Sequence, residues 1–139
     1  MTYYAVIDTN VLISALLSSR DDAATVLVIS RMMDGDVIPI YSNAIISEYR
    51  EVLHRKKFNF PANHIDYLLS AIEKFGVLVE PAPTGEILPD MKDLPFYEVV
   101  MEKRENDAYL VTGNIKHFPA KPFIVTAREF LNILNEQQD

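Results

Sequence analysis

Short apolar runs alternate with longer helical stretches along almost the whole chain, and this alternation constrains the fold more than any other feature. The runs typical of buried strands are Tyr3 to Ile7, Val37 to Tyr41, Val77 to Val79, Ala108 to Val111 and Pro122 to Val125. Strands separated by helices predict an α/β fold, a three-layer α/β/α sandwich around a mostly parallel sheet of about five strands. Pro39 in the second run indicates an edge strand.

Helical periodicity and capping residues predict the segments between the strands. The predicted helices span Val11 to Leu17, Ala23 to Met33, Asn43 to about Arg55, Pro61 to about Phe75, a stretch after Asp93, and a final stretch from Thr126. In a parallel sheet, ligands bind beyond the carboxyl ends of the strands. The residues that directly follow each strand are therefore the candidates for function.

Length and composition exclude several classes of protein. A chain of 139 residues predicts one domain, residues 1–139. The absence of cysteine excludes a disulfide scaffold, a thiolate zinc site and a cysteine nucleophile. No membrane-length apolar run or signal peptide is visible, so we expect a cytoplasmic protein without membrane contact. The net charge of −7 implies that nucleic acid would need a local basic patch or bound cations.

Asp8 and Glu48 are the first two acidic candidates. Asp8 follows the first strand, where it could alternatively cap a helix, although Asn10 is an equal candidate for that cap. Glu48 is predicted on the inward stripe of its helix, which contains Ile45, Tyr49 and Val52. An inward carboxylate is costly unless it is paired or binds a cation. The alternatives are a salt bridge from Glu48 to Arg50, Arg55 or a distant lysine, or a position at the edge of the stripe near solvent.

The second half of the chain supplies three further candidates. Asp93 precedes a helix that contains Pro95 in its first turn, so helix capping is its simplest alternative role. Asp90 competes with Asp93 for any functional role. Thr112 and Asn114 follow a strand, where Asn114 could instead be an ordinary left-handed loop residue. A cluster of Asp8, Glu48, Asp93 and Asn114 at one sheet edge would need a counter-ion, Mg²⁺ or Mn²⁺, and would suit phosphoryl displacement.

Four segments resemble the motifs of PIN-domain proteins, in the same order and at similar spacing across nearly the whole chain. They are Val6 to Ala15, Ser47 to Leu53, Asp90 to Phe96 and Leu110 to Pro119. The branch that the chain most resembles contains toxin components of toxin–antitoxin pairs. Four ordered motifs are a far more specific signal than one Asp-Thr-Asn.

This resemblance implies a Mg²⁺- or Mn²⁺-dependent ribonuclease with Asp8, Glu48 and Asp93 as metal-binding carboxylates. Asn114, at a position where many members have a fourth Asp, and Thr112 complete the expected catalytic residues. The asparagine removes one charge and puts catalysis by two metal ions in doubt. The resemblance also implies an RNA substrate, a homodimer or higher homo-oligomer, and a cognate antitoxin protein.

The densest basic segment, His54 to Lys57, is a candidate contact for single-stranded RNA, although its charges could simply complement a helix C-terminus. Phe58 and Phe60 beside it could stack bases or belong to the core. Two other functions stay open. One is a catalytically silent PIN-fold module that binds RNA or protein. The other is a phosphoryl-transfer enzyme with Asp8 as its nucleophile, although Asn10 stands where such enzymes usually have a second Asp.

Overall fold

A parallel sheet of five strands forms the centre of the part of the chain that the computed structural model describes, residues 2–136. The strands are β1 (Tyr3–Ile7), β2 (Val37–Tyr41), β3 (Val77–Leu78), β4 (Tyr109–Val111) and β5 (Ile124–Val125). Their order in the sheet is β3-β2-β1-β4-β5. All five predicted strands are present, and every pairing is parallel.

Six α-helices connect or follow these strands within residues 2–136. They are α1 (Thr9–Leu17), α2 (Ala24–Met33), α3 (Asn43–Leu53), α4 (Ala62–Phe75), α5 (Leu94–Glu102) and α6 (Ala127–Glu136). The predicted helices are confirmed, with ends that differ by one or two residues. Among the described residues, no helix has both the length and the apolar character needed to cross a membrane.

Helices cover both faces of the sheet. Three successive residues of β1, Ala5, Val6 and Ile7, are buried, and neighbouring side chains of a strand point to opposite faces. The same holds for Leu110 and Val111 of β4. Continuous burial of this kind is typical of a parallel sheet between two helical layers. The predicted α/β sandwich is confirmed.

The edge position indicated by Pro39 is wrong. β2 lies between β1 and β3 in the sheet. However, β3 is only two residues long and pairs with Ile40 and Tyr41, so Pro39 lies just before that ladder begins. The chain passes close to Pro39 at Gly76, where a Cβ atom would lie 2.7 Å from the Pro39 carbonyl oxygen. Glycine is therefore needed at the entry to β3.

The register of the sheet aligns the carboxyl ends of three strands. Ile7 pairs with Val111, and Val111 pairs with Val125. The residues that follow, Asp8 and Thr112, continue the ladder through backbone bonds of 2.9 Å to Val111 and Val125. β2 lies on one side of β1 and β4 lies on the other, so the strand order reverses at β1. Such a reversal opens a crevice at the carboxyl edge of a parallel sheet. Asp8 lies at that crevice.

Tyr49 fastens α3 to the end of β1. Its side chain is 2% exposed, and its hydroxyl donates to the carbonyl oxygen of Ile7, the residue before Asp8. Its ring packs against Phe96 of α5, with 6.2 Å between the ring centroids. Burial, with repulsion from Asp8 and Glu48, keeps the pKa of Tyr49 well above its usual value. The neutral phenol is therefore the form that donates this bond.

We predict that Tyr49→Phe lowers the free energy of unfolding by about 1–3 kcal/mol, because a buried carbonyl loses its partner while the ring still fills its site. Urea unfolding followed by circular dichroism measures the change. Tyr67→Phe is the matched control, since Tyr67 is exposed, and it should leave stability unchanged. Equal stability of both variants would show that the Tyr49 bond contributes nothing.

Candidate active site

Asp8 lies almost entirely buried at the start of α1, with 5% of its surface exposed. It occupies the N-cap position, yet its side chain makes no capping hydrogen bond. Its Oδ2 atom instead accepts bonds from Thr112 Oγ1 at 2.7 Å and Asn10 Nδ2 at 3.2 Å. Asp8 is therefore the N-cap residue of α1, as the capping alternative has it, but its carboxylate is bound by other side chains instead of capping the helix. Asn10 has a different role as well, because its Oδ1 accepts a bond from Gly113 N at 3.1 Å.

Thr112 connects the first and last parts of the site. Its side chain is fully buried, and its hydroxyl both donates to Asp8 and accepts from Asn114 N at 3.0 Å. A hydroxyl used in this way fixes the Asp8 carboxylate and the turn that carries Asn114. The sequence grouped Thr112 with Asp8, and the structure places them in contact.

Glu48 is half-buried on α3 and accepts a hydrogen bond from Thr9 Oγ1. The salt-bridge alternative is wrong for both arginines, because Arg50 pairs with Glu73 at 3.3 Å and Arg55 pairs with Glu51 at 3.1 Å. The other alternative, a position at the edge of the stripe, agrees with the half-buried side chain. The buried residues of α3 are Ile45, Ile46, Tyr49 and Leu53, with Val52 only partly buried. Glu48 therefore lies at the border of the inward face. Thr9, its partner, was not identified from the sequence.

Asp93 precedes α5 but does not cap it, since its side chain makes no capping hydrogen bond. Asp90 takes the capping role in the turn before it, accepting from Lys92 N at 3.0 Å. Asp93 Oδ2 lies 3.3 Å from His117 Nδ1, within ion-pair distance. This buried oxygen makes no hydrogen bond with a residue of 2–136, so His117 is its one polar neighbour there. The contact between Asp93 and His117 was not predicted from the sequence.

Asn114 stands at the mouth of the site. Its backbone is tied to Thr112, whereas its side chain is exposed. It lines a groove of about 340 Å³ at the carboxyl ends of β4 and β5. The lining residues are Gly113, Asn114, Ile115, Lys116, His117 and Thr126. The groove offers cationic and hydrogen-bonding groups next to Asp93 through His117.

All three carboxyl groups have raised pKa values, and burial is the largest cause for each. Repulsion from Asp93 adds to the effect on Asp8, although the Thr112 hydrogen bond offsets part of it. Repulsion from Asp8 likewise raises the pKa of Glu48, against the bond from Thr9. For Asp93, Asp90 and Glu48 raise the pKa and His117 lowers it. The three groups therefore repel one another across the crevice.

The donor chemistry of Asp8, Glu48 and Asp93 fits a hard divalent cation. Carboxylate oxygens are the ligands that Mg²⁺ and Mn²⁺ prefer, and the unpartnered Asp93 Oδ2 is an available donor. Within residues 2–136, no three Asp, Glu or His side chains are close enough to hold a metal ion among them. The residues therefore suit a cation chemically but do not form a closed cage.

A second, larger groove lies elsewhere on the molecule. It measures about 880 Å³, and residues of α1, α2 and α4 line it with mostly apolar side chains. None of Asp8, Glu48, Asp93, Thr112 or Asn114 contributes to its lining. Its size alone does not connect it with the acidic residues.

We predict that Asp8→Asn stabilises the metal-free protein and that the gain grows as pH rises above about 4. A raised pKa means that the folded protein holds more protons than the unfolded chain, so rising pH through that window lowers the wild-type free energy of unfolding. The asparagine amide carries no charge and keeps an acceptor for Thr112. Urea unfolding in EDTA at several pH values measures the difference. A constant or shrinking gain would contradict the repulsion among the carboxylates.

A family model described as PIN domain matches residues 4–116. This segment contains Asp8, Glu48, Asp93, Thr112 and Asn114 and covers well over half of the chain. No curated protein and no solved structure matches the chain significantly. The extent of the match, together with the parallel sheet and the acidic crevice, shows that the chain belongs to the PIN domain family.

Proposed function

We propose that this chain is a metal-dependent endoribonuclease, a single nuclease domain over residues 1–139, that hydrolyses RNA phosphodiester bonds. PIN domains are typically nucleases, which supports the reaction class. The observation that carries the proposal is the placement of three buried or half-buried carboxylates, Asp8, Glu48 and Asp93, at the crevice, with no lysine or arginine of residues 2–136 paired to any of them. Burial first, and mutual repulsion in addition, raises the pKa of each, so their charged forms destabilise the fold unless a cation relieves them. The stability that these charges cost the fold is explained if a bound cation needs them for RNA hydrolysis.

Asp8, Glu48 and Asp93 are the residues that would hold Mg²⁺ or Mn²⁺. When bound, the cation supplies an activated water and neutralises charge that develops on the phosphate. The surrounding side chains act through these carboxylates. Thr112 and Asn10 fix the orientation of Asp8, and Thr9 fixes Glu48. These three are positioning residues.

The groove beside Asp93 is the proposed site of the scissile phosphate. Lys116 and His117 place donors along it, and Asn114 offers an uncharged amide at its mouth. An amide donates a hydrogen bond to a phosphate oxygen, whereas a carboxylate there would repel it. In the reaction, water adds to phosphorus and the ester P–O bond to the leaving nucleotide breaks, with the proton passing to the leaving oxygen. No redox partner is needed.

The proposed biological setting is that of a cytoplasmic toxin blocked by a cognate antitoxin protein. The support is the resemblance of the four motifs to the toxin branch of the family. The same resemblance supports a homodimer or higher homo-oligomer. Light scattering on the purified protein tests the assembly: a mass of twice the monomer or more is expected, and a monomer at micromolar concentration would contradict it.

Asn114 favours one other function, a catalytically silent module that binds RNA or a protein. The side chain replaces the fourth acidic residue of many family members, and its exposed amide makes no hydrogen bond to another described residue. In this alternative the carboxylates would be inherited features of the fold. Binding without metal-dependent cleavage would distinguish this module from the nuclease.

We predict that Asp8→Asn, Glu48→Gln and Asp93→Asn each lower Mn²⁺-dependent RNA cleavage by about 100-fold or more, because each removes a charge that acts on the transition state. The assay follows labelled single-stranded and structured RNAs with Mn²⁺, Mg²⁺ or EDTA. Matched controls are Asp22→Asn, whose carboxylate pairs with Arg20, and Glu73→Gln, whose carboxylate pairs with Arg50. Both should stay within about threefold of the wild type, since an exposed charge has a small effect.

Cleavage that persists in all three site variants would refute the site. Cleavage lost equally in the controls would show that acidic charge in general, and not this set of residues, is responsible.

We predict also that Mn²⁺ raises the melting temperature of the wild type and raises that of Asp8→Asn much less. A ligand that binds only the folded state stabilises it by mass action, and the variant loses a charged donor. Differential scanning calorimetry with Mn²⁺, and with Ca²⁺ as a comparison ion, measures the shifts. Equal Mn²⁺ shifts in both proteins would place the ion somewhere other than Asp8.

A further inference from the structure

A turn rich in lysine and phenylalanine follows the helix that carries Glu48. Its basic run begins with His54, whose Nδ1 lies 2.6 Å from the Arg50 carbonyl oxygen, and Arg55, which pairs with Glu51. Lys56 and Lys57 are exposed and form no ion pair within residues 2–136. Two uncompensated cations therefore stand together on a protein of net charge −7.

Phe58 and Phe60 form a stacked pair beside these lysines. Their ring centroids are 5.4 Å apart, and the planes differ by 7°. Phe60 packs against the hydrophobic core, whereas Phe58 does not belong to it, and both side chains are only half-buried. Of the two alternatives given for this pair, the core therefore applies to Phe60 alone. Phe58 is therefore the outer ring of the pair, and it stacks on Phe60, which the core holds in place.

The local backbone holds this surface in place. Phe58 N and Asn59 N each donate over 3.1 Å, to the carbonyl oxygens of Arg55 and Lys56. Asn59 has a left-handed φ of 54°, which a turn asparagine accepts at modest cost. Lys57 Nζ lies 5.1 Å from the centre of the Phe58 ring. A cation and an aromatic face are therefore arranged together before any ligand binds.

We propose that Phe58, Lys56 and Lys57 form a binding subsite for single-stranded RNA outside the acidic crevice. Phe60 covers one face of Phe58, so a base stacks on the other face in place of the Lys57 ammonium, and the two lysines contact the phosphates beside it. Aromatic faces combined with basic side chains are the usual means of holding single strands without sequence preference. The net charge of −7 repels RNA at long range. A local basic and aromatic patch of this kind would offset that repulsion at short range.

The subsite rests on the proposed ribonuclease function and deepens it. α3 connects the two places, because Glu48 lies on this helix and His54 follows its last residue. Six residues of helix correspond to about 9 Å along the axis. An RNA strand that enters the crevice at Glu48 therefore needs to extend only along α3 to reach the turn.

The test uses Phe58→Trp, because the chain contains no tryptophan and the new indole becomes a unique fluorophore. Single-stranded oligouridylate of about ten nucleotides is added in EDTA, so that cleavage plays no part. Stacking of a base should quench the indole emission. Phe75→Trp is the matched control: Phe75 is 56% exposed and Lys74 Nζ lies 5.3 Å from its ring, but no basic run adjoins it. Its emission should not change.

Two further variants separate stacking from charge. Phe58→Leu keeps an apolar side chain of similar bulk and should weaken binding of a labelled oligouridylate by about 5- to 100-fold. Lys56→Gln with Lys57→Gln should reduce the slope of log affinity against log salt by about 1.4, the value for two phosphate contacts on a single strand. Circular dichroism of each variant confirms that it is folded.

Labelled RNA that binds with no quenching at position 58, or with equal quenching at position 75, would overturn the subsite. Absence of RNA binding by the folded wild type would also overturn it and would leave a protein partner as the explanation of the patch. Quenching at position 58 without any cleavage by the wild type would support the subsite and refute the nuclease. Cleavage by the wild type without quenching at position 58 would support the nuclease and refute the subsite.

Discussion

The buried carboxylate of Asp8, held by Thr112 across the junction of β1 and β4, is the interaction on which the site depends. The parallel register brings Ile7 opposite Val111, and the next residue of each strand forms the 2.7 Å bond. A carboxylate in this position costs stability, since burial and repulsion from Asp93 raise its pKa. The chain thus places an unfavourable charge at the crevice that strand reversal opens, where a ligand has access to it.

Hydroxyl groups orient Asp8 and Glu48, and among residues 2–136 only His117, beside Asp93, lies within ion-pair distance of any of the three carboxylates. Thr9 donates to Glu48 and Thr112 donates to Asp8, whereas Arg50 and Arg55 pair with other acids. Neutral donors fix a carboxylate without cancelling its charge. The net negative charge of the crevice is therefore preserved for a cation, while Tyr49 keeps α3 in register with the end of β1. The hydroxyl groups and Tyr49 thus hold the site in place, while the repulsion among the carboxylates is not relieved.

The strands and helices were predicted well because short apolar runs and helically spaced apolar residues are local patterns along the chain. Pro39 misled the prediction, since the place of a strand in a sheet depends on distant pairing and β3 is too short to reach that residue. The contacts of Glu48 with Thr9 and of Asp93 with His117 join residues far apart in sequence, so local pattern could not find them. Adjacency of Asp8 and Thr112 was predictable, because both follow paired parallel strands. The roles of these residues and of Asn114 in catalysis stay predictions.

The most direct test of a metal-dependent site is the anomalous scattering of Mn²⁺ in crystals of the protein. We expect one strong anomalous peak within bonding distance of oxygens from at least two of Asp8, Glu48 and Asp93, and its loss in Asp8→Asn crystals soaked identically. An ordered crevice without any peak at saturating Mn²⁺, or a peak that persists in the variant, would contradict the account.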